Sequence, residues 1–261
     1  MIFLFFLFLR LFSAFEFRGY GEKSRFLKNK SSVIQSGYFG NPAGYIFNKK
    51  NAIYFSVEDL YSLGFIRSAN VSYFFDITRE TKIGIGFQNL STTSKFEYFS
   101  YNENLFSLVF SQRVCRFLSL GISINSGFAS LEKKGSFQGV DMGVLFKKGG
   151  MRVGVYLENV LSNDVYWQDG RREEVEFRDY FGAGFEGRRF GFYIEEEKNI
   201  NAGIILKLGT VDFIFGYKNK EYPVFSFGIE INPFKNLGII FGMDIHERIG
   251  DSVVFSFKHE I

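Results

Sequence analysis

Large apolar side chains alternate with small or polar ones along most of the chain beyond residue 52. In residues 237–245 every odd position is large and apolar, and the even positions include Gly238, Gly242 and Asp244. A period of two predicts a β-strand with one apolar face and one small or polar face. The same pattern predicts about fourteen strands, near 52–60, 69–77, 81–91, 105–113, 117–130, 137–146, 151–161, 179–186, 190–196, 201–208, 211–218, 224–232, 237–245 and 251–258.

Short and long connections alternate between these strands, as the periplasmic turns and outer loops of a membrane barrel do. Gly149-Gly150, Gly209-Thr210 and Asn232-Pro233 fall in the short set and have the composition of tight turns. The fold class we predict is all-β: an antiparallel up-and-down transmembrane β-barrel of about fourteen strands with an N-terminal lumenal plug segment.

Composition agrees with a barrel that has a lipid face and a polar lumen. Aromatic residues make up 20% of the 261 residues, yet mean hydropathy is −0.01 and 23% of residues are charged. The net charge of +3 is small and the basic residues form no stripe, so the sequence does not support nucleic-acid binding. Membrane lipid is instead the partner that the pattern predicts.

The register assigns each side chain to lipid or lumen. Residues predicted to face lipid include Phe55, Val71, Ile85, Leu120, Val153, Phe181, Phe192, Phe215 and Phe255. The charged residues predicted to face the lumen are Glu58, Asp76, Asp141, Arg152, Glu158, Lys207, Asp212 and Glu230. Few large apolar residues are expected on the lumenal face.

The first 51 residues differ from the barrel region over 52–261. Residues 1–14 are rich in Phe and Leu and end in Ser13-Ala14, which favours a secretory signal peptide; a buried strand or an interfacial helix are the alternatives. Residues 15–51 are basic and lack alternation, and we expect them to form a hatch or plug inside the lumen, a disordered tail being the alternative. Inward glycines would then relieve curvature, make room for the plug backbone, or both.

Catalytic chemistry has little support. Asp244, His246 and Ser252 permit a hydrolytic triad on paper, but a histidine at a strand end is more often solvated. No Cys/His cluster has metal-ligand spacing and Cys115 is the single cysteine, so we expect no enzyme activity, metal or cofactor. In the charged loop near 162–178, Trp167 is a candidate outer-loop contact for a partner; a solvated loop is the alternative.

Asn41, Pro42, Ala43 and Gly44 stand just ahead of the first predicted strand. This run resembles the Asn-Pro-Ala-Gly element of the FadL-like outer-membrane barrel superfamily. Leu120–Ser123, Gly139–Val144 and Glu158–Ser162 are similar to the middle of its PorV/PorQ (UPF0164-type) branch. The resemblance implies a fourteen-stranded barrel in the outer membrane of a diderm bacterium, with a hatch that carries Asn41, Pro42 and Ala43.

Two functions follow from that resemblance. The first is passage of small hydrophobic molecules, which predicts an apolar lumen beside the hatch and inward aromatics such as Phe74, Tyr156 and Tyr193. The second is a PorV/PorQ-like role without transport, in which the barrel binds secretion-system proteins or takes part in surface attachment, and which predicts a blocked lumen. The short outer loops do not favour an elaborate docking platform.

Overall fold

The computed structural model describes residues 22–33, 40–48, 50–60, 66–92, 100–131, 133–219, 223–246 and 250–261. The predicted signal peptide over 1–14 lies outside these ranges. Within them, no helix combines the length and apolar character that crossing a bilayer requires.

The described chain forms two short helical segments and a set of strands. The helical segments are α1 (Glu22–Leu27) and a 3-10 helix (Pro42–Phe47). The strands are β1 (Ala52–Asp59), β2 (Ile66–Thr78), β3 (Thr81–Thr92), β4 (Asn102–Cys115), β5 (Leu118–Ser130), β6 (Lys134–Lys148), β7 (Met151–Ser162), β8 (Val165–Trp167), β9 (Arg172–Glu173), β10 (Arg178–Glu186), β11 (Phe190–Glu196), β12 (Ile200–Leu208), β13 (Val211–Lys218), β14 (Val224–Phe234), β15 (Leu237–His246) and β16 (Ser252–Glu260).

Fourteen of these strands close into an antiparallel barrel. Each pairs with its neighbour along the chain, β7 pairs with β10, and β1 pairs with β16 to close the ring. The remaining two, β8 and β9, form a small hairpin within the connection from β7 to β10, and β8 pairs with the start of β6. The predicted barrel is confirmed, whereas the β8–β9 hairpin is a feature that strand periodicity did not reveal.

The outer surface is apolar. Ile85, Phe181 and Phe241 are each about half exposed, at 53%, 50% and 52%. Side chains this apolar and this exposed around a closed barrel identify a surface that faces acyl chains. We call the end with short turns the periplasmic end and the end with long connections the outer end, following the usual asymmetry of such barrels.

The lumen holds more large apolar side chains than the alternation predicts. Ile205 of β12 and Ile214 of β13 are fully buried inward, while Ile204 and Leu206 face lipid. The expectation of few inward apolar residues is therefore wrong. When apolar residues occupy both the lipid-facing and the lumen-facing positions of a strand, alternation does not predict which residues line the lumen.

One predicted turn is also displaced. Asn232-Pro233 lies within the end of β14, at a register shift between Ile231 and Phe234, and the turn is formed by Lys235 and Asn236. Proline is tolerated there because a bulge needs no ladder hydrogen bond from that residue.

Candidate functional site: a plugged lumen

Asn41 anchors the hatch to the barrel wall. Its side-chain oxygen accepts a hydrogen bond from the Ala43 N–H at 3.0 Å and caps the 3-10 helix that begins at Pro42. Its side-chain NH₂ donates to the carbonyls of Ser31 at 2.7 Å, Val144 at 2.9 Å and Val155 at 3.0 Å. One amide therefore ties the hatch to the rest of the plug and to both β6 and β7.

Glycines in the wall make this approach possible. A Cβ on Gly143 would overlap the side-chain oxygen of Asn41, and a Cβ on Gly121 would overlap the backbone of Pro42 and Ala43. Gly44 has ordinary clearance from Val33. At Gly121 and Gly143, close approach of the hatch explains why the lumenal face carries glycine.

Basic residues on and after α1 meet acidic residues of the wall. The pairs are Lys23 with Asp212 and Glu230, Arg25 with Glu58 and Asp244, Lys28 with Asp244, and Lys30 with Glu158. Every member except Lys23 is under 10% exposed as a residue, so these are buried charges that need their partners. Because Asp244 is held by two plug cations, it is engaged in the plug contact rather than in a hydrolytic triad with His246.

Glu195 of β11 is a lumenal carboxylate that sequence reasoning missed. One of its oxygens accepts hydrogen bonds from the Lys30 N–H, the Ser31 N–H and the Ser31 hydroxyl, each at 2.7 Å. Glu195 lies on the same face as Gly191 and Tyr193, and this alternation could have placed it in the lumen.

The structure places the predicted lumenal charges as follows. Glu58, Asp141, Glu158, Asp212 and Glu230 are buried inside the barrel. Arg152 and Lys207 lie closer to the periplasmic end, where both contact Glu186.

Asp76 differs from the expectation. It has the predicted inward parity but lies near the periplasmic end of β2, where its side chain is 44% exposed and pairs with the buried Lys82 at 3.2 Å. Lys82 also donates to the carbonyls of Asn48 at 3.1 Å and Lys50 at 2.8 Å, which fixes the chain between hatch and barrel.

One side of the lumen contains an apolar column that runs from the outer end to the hatch. We define the apolar column as Tyr45, Ala52, Tyr54, Phe74, Leu105, Val109, Ala129, Phe137, Val165 and Trp167. At the hatch end, the Tyr45 and Phe74 rings stack at 4.0 Å between centroids, and the Tyr54 ring meets Phe74 edge-on at 5.9 Å. The two other inward aromatics, Tyr156 and Tyr193, are buried beside polar or charged groups.

The outer end of the column is covered by the β8–β9 hairpin, which we call the lid. Val165 is fully buried and the Trp167 ring packs against Gly135, where a Cβ would lie 3.0 Å from it. Trp167 is only 7% exposed, so the expected surface-exposed contact residue is instead part of the lumen filling. Parity could not place it, because the loop in which it lies has no sustained alternation.

The connection that follows the lid is also tied down. The carbonyl of Glu176 accepts from the Asn159 side chain at 2.9 Å, and Lys198 donates to its carboxylate at 2.5 Å. The Lys198 hydrogen bond, with help from Arg178, holds the pKa of Glu176 below its usual range.

The wall outside the hatch carries an apolar depression of about 440 Å³. Its lining includes lipid-facing side chains and the backbone of Gly121 and Gly143, so one layer of backbone separates it from Asn41 and Pro42.

Next to this depression, β7 has two more residues than β6 between paired positions, and Asn159 adopts a φ of 60°. This bulge interrupts the β6–β7 ladder beyond Met142 and Leu157, two pairs outward of the Val144–Val155 pair that Asn41 contacts.

Comparison with known proteins gives a consistent fold. No protein-family model and no curated protein matches the sequence. Among solved structures, the toluene transporter TodX of Pseudomonas putida is similar, with a TM-score of 0.67 and 13% identity, covering 96% of this chain and 100% of that one. The barrel shares its fold with this transporter.

Two further channels support that assignment of the fold. The monoaromatic hydrocarbon channel CymD matches with a TM-score of 0.67 and 11% identity, covering 95% of this chain and 99% of that one. A FadL homologue of Pseudomonas aeruginosa matches with a TM-score of 0.61 and 9% identity, covering 93% and 99%. At these identities the likeness is one of fold.

Proposed function

We propose that this FadL-like barrel allows small hydrophobic molecules to cross the outer membrane of a diderm bacterium, without enzymatic chemistry. The observation that carries the proposal is the apolar column between lid and hatch. The charged contacts between plug and wall would be sufficient to seal the lumen. The continuous apolar path beside them therefore favours a role in passage. The names of the similar structures, a toluene transporter and hydrocarbon channels, agree with a cargo of this kind.

In this proposal the column is occupied by its own side chains until a cargo molecule displaces them. The lid covers the outer end with Trp167, whose buried indole N–H has no hydrogen-bond partner within the described part of the chain. A buried N–H that forms no hydrogen bond costs about 1–3 kcal/mol, and this cost destabilises the closed position of the lid. The lid is therefore suited to open.

The exit route follows from the position of the hatch. Asn41 and Pro42 stand directly behind the thin wall at Gly121 and Gly143, and the depression outside is apolar. A molecule released at the hatch can pass into the periplasm if the hatch moves, or into the membrane if the β6–β7 wall opens. The bulge at Asn159 favours the wall route because the ladder is already interrupted there.

The proposal is tested by uptake across a membrane that contains lipopolysaccharide. Hydrocarbons cross a phospholipid bilayer unaided, so ordinary liposomes would not report the barrel. Whole diderm cells that lack their own FadL-type channel should take up labelled toluene faster when they express this chain. Equal uptake with and without the barrel, at matched expression in the outer membrane, would contradict the proposal.

A PorV/PorQ-like role in binding secretion partners is the second candidate. The observation in its favour is the filled lumen, where plug and wall share several buried ion pairs. It predicts no hydrocarbon uptake, no swelling of liposomes in graded solutes, and recovery of a defined secretion protein with the purified barrel. The hydrocarbon assay therefore separates the two candidates directly.

A further inference from the structure

Beside the apolar column, the lumenal face of β1 and β2 carries a band of polar residues that lies outward of Tyr54 and Phe74. On β2 the inward residues run from Ile66 through Ser68, Asn70 and Ser72 to Phe74. The same order, apolar then polar then apolar, runs from Leu60, just after β1, through Glu58 and Ser56 to Tyr54. The band thus lies between an outer apolar cluster of Leu60, Ile66 and Leu90 and the hatch end of the apolar column.

Four buried polar atoms in this band have no hydrogen-bond partner among the described residues. We call this set the acceptor band, and it consists of Glu58 Oε1, Ser68 Oγ, Asn70 Oδ1 and Ser256 Oγ. The four residues are between 0% and 9% exposed. Buried polar atoms are usually satisfied, so several unsatisfied ones in one place indicate an occupant that the protein atoms do not supply.

The strand register brings these residues together. Ser56 is directly opposite both Asn70 on β2 and Ser256 on β16, and Glu58 is opposite Ser68. Directly opposite residues have Cβ atoms about 4.5–5.5 Å apart. The Asn70 side-chain NH₂ donates to Ser56 Oγ at 3.0 Å, which directs its oxygen away from that contact. The acceptor band is therefore one local feature of the β16–β1–β2 wall.

The chemistry of the acceptor band selects the kind of group that it can hold. A carboxylate oxygen and an amide oxygen accept hydrogen bonds and cannot donate them, and the two hydroxyls can do either. The negative charge of Glu58 is already paired with Arg25 through its other oxygen. A neutral group that donates hydrogen bonds is thus a better complement than a second cation.

We propose that the acceptor band binds the hydroxyl group of a small neutral amphiphile whose apolar body lies against the flanking apolar residues. This inference rests on the proposed passage of hydrophobic molecules and narrows the cargo to alcohols with an aromatic or short aliphatic body. A hydrocarbon of the same size would leave the acceptors unsatisfied, so the barrel would favour the alcohol. Discrimination by an unpaired buried polar group is larger than discrimination by one methylene.

The test measures binding separately from passage. Purified barrel in lipid nanodiscs is equilibrated with 2-phenylethanol or with propylbenzene, which has a methyl group in place of the hydroxyl. Binding is taken as the excess over protein-free nanodiscs. We expect the barrel to prefer 2-phenylethanol, after correction for lipid partitioning, by roughly fivefold, which corresponds to about one net buried hydrogen bond.

Two variants and one control locate the effect. Asn70→Leu and Ser68→Ala should each remove most of the preference while leaving propylbenzene binding unchanged or increased. Ser68→Ala removes a hydroxyl that has no hydrogen-bond partner among the described residues, so this variant should keep the wild-type thermal unfolding midpoint or exceed it. Asn70→Leu also removes the hydrogen bond to Ser56 Oγ and should lower the midpoint, so its binding is compared at a temperature where it is folded. Ser107→Ala is the control, because the Ser107 hydroxyl is lumenal but already donates to Asn125 at 2.5 Å; it should leave the preference intact.

The outcomes separate the two proposals. An absent preference in the wild-type barrel, or one that survives both Asn70→Leu and Ser68→Ala, overturns the acceptor band as a ligand site and assigns those atoms to internal water. If the preference is present and depends on the band, the site stands even when cells show no toluene uptake, and in that case only the transport proposal fails. If toluene uptake is accelerated without any hydroxyl preference, only the acceptor-band inference fails.

Discussion

The side chain of Asn41 occupies the space that a side chain on Gly143 would need. A Cβ on Gly143 would overlap the Asn41 side-chain oxygen, and the Asn41 NH₂ donates to the carbonyl of the next residue in β6, Val144, at 2.9 Å. The residue type at one position of the wall therefore decides whether the hatch can dock. Hatch and wall act as one packed unit at this point.

Adding a methyl group at Gly143 should loosen the hatch. We expect Gly143→Ala to destabilise the folded barrel by about 1–3 kcal/mol, because overpacking moves rigid backbone and the Asn41 amide. Urea-dependent loss of heat-modifiable gel mobility measures this. Gly238→Ala is the matched control, since its Cβ would come no closer than 3.2 Å to another atom, at the ends of the Asn232 and Glu230 side chains. Equal stability of the two variants would contradict the close docking of the hatch.

Changing the Asn41 amide to a carboxylate alters the size of the side chain little, but we expect it to destabilise the folded barrel. Asn41→Asp keeps the oxygen that accepts from Ala43 but replaces a donor by an acceptor facing three carbonyls. The lost NH₂ has two N–H donors, one of them shared between two carbonyls, and at about 1 kcal/mol each they predict a loss of about 2 kcal/mol before repulsion between the carboxylate and the carbonyls is added. Asn163→Asp is the control, because Asn163 uses its oxygen to accept from the Gln138 N–H. Similar unfolding midpoints for both variants would show that the amide does not anchor the hatch.

The ion pair between Arg25 and Glu58 should be visible in a double-mutant cycle. Arg25→Met leaves the buried Glu58 carboxylate without its cation, for which we expect a loss of about 3–5 kcal/mol; Glu58→Gln leaves Arg25 with Asp244 as a partner and should cost less. Arg25 is also paired with Asp244, so the double variant should recover only part of the loss. Thermal unfolding of the four proteins in lipid nanodiscs gives the coupling energy. Strictly additive losses would mean that plug and wall charges do not interact.

The lipid-facing register predicts an effect that depends on membrane depth. Phe241 lies in the middle of β15, and Phe241→Arg should cost about 2–4 kcal/mol, as basic residues do at the bilayer midplane. Phe234 is equally apolar but lies next to the periplasmic turn and is 68% exposed. Phe234→Arg should therefore cost only about 0–1 kcal/mol. Reversed costs, measured by folding into bilayers, would place the bilayer elsewhere on the barrel.

The sequence could predict the barrel because its physical signal is strong and local. Phe241 and the other lipid-facing residues of β15 occupy every second position, with Gly238 and Gly242 among the residues between them, and lipid on one side imposes that period of two. The predicted strand at 105–113 is shorter than the observed Asn102–Cys115 because the ends of β4 extend beyond the apolar stretch. The same alternation of lipid-facing and lumen-facing positions predicts that Glu58 and Asp141 face the lumen.

The contents of the lumen could not be predicted in the same way. The plug is irregular, so no periodicity relates Arg25 or Asn41 to the wall residues they contact. Trp167 lies in a loop, and its burial depends on the β8–β9 hairpin folding over the column. The acceptor band joins residues from β1, β2 and β16 that are distant in sequence and meet only when the barrel closes.

The most direct test of the central claim, that cargo passes through the apolar column, uses a lid that can be locked. Ser136 and Tyr166 are opposite each other where β6 pairs with β8, and opposite residues of an antiparallel pair have Cα atoms about 4.5–5.5 Å apart, within disulfide range. With Cys115→Ser as background, Ser136→Cys and Tyr166→Cys should form a disulfide that holds the lid closed. Labelled toluene uptake by cells should fall at least about tenfold on oxidation if locking costs about 1.4 kcal/mol or more, and reduction should restore it. Uptake that is unchanged by oxidation, with the disulfide verified, would contradict passage through the column.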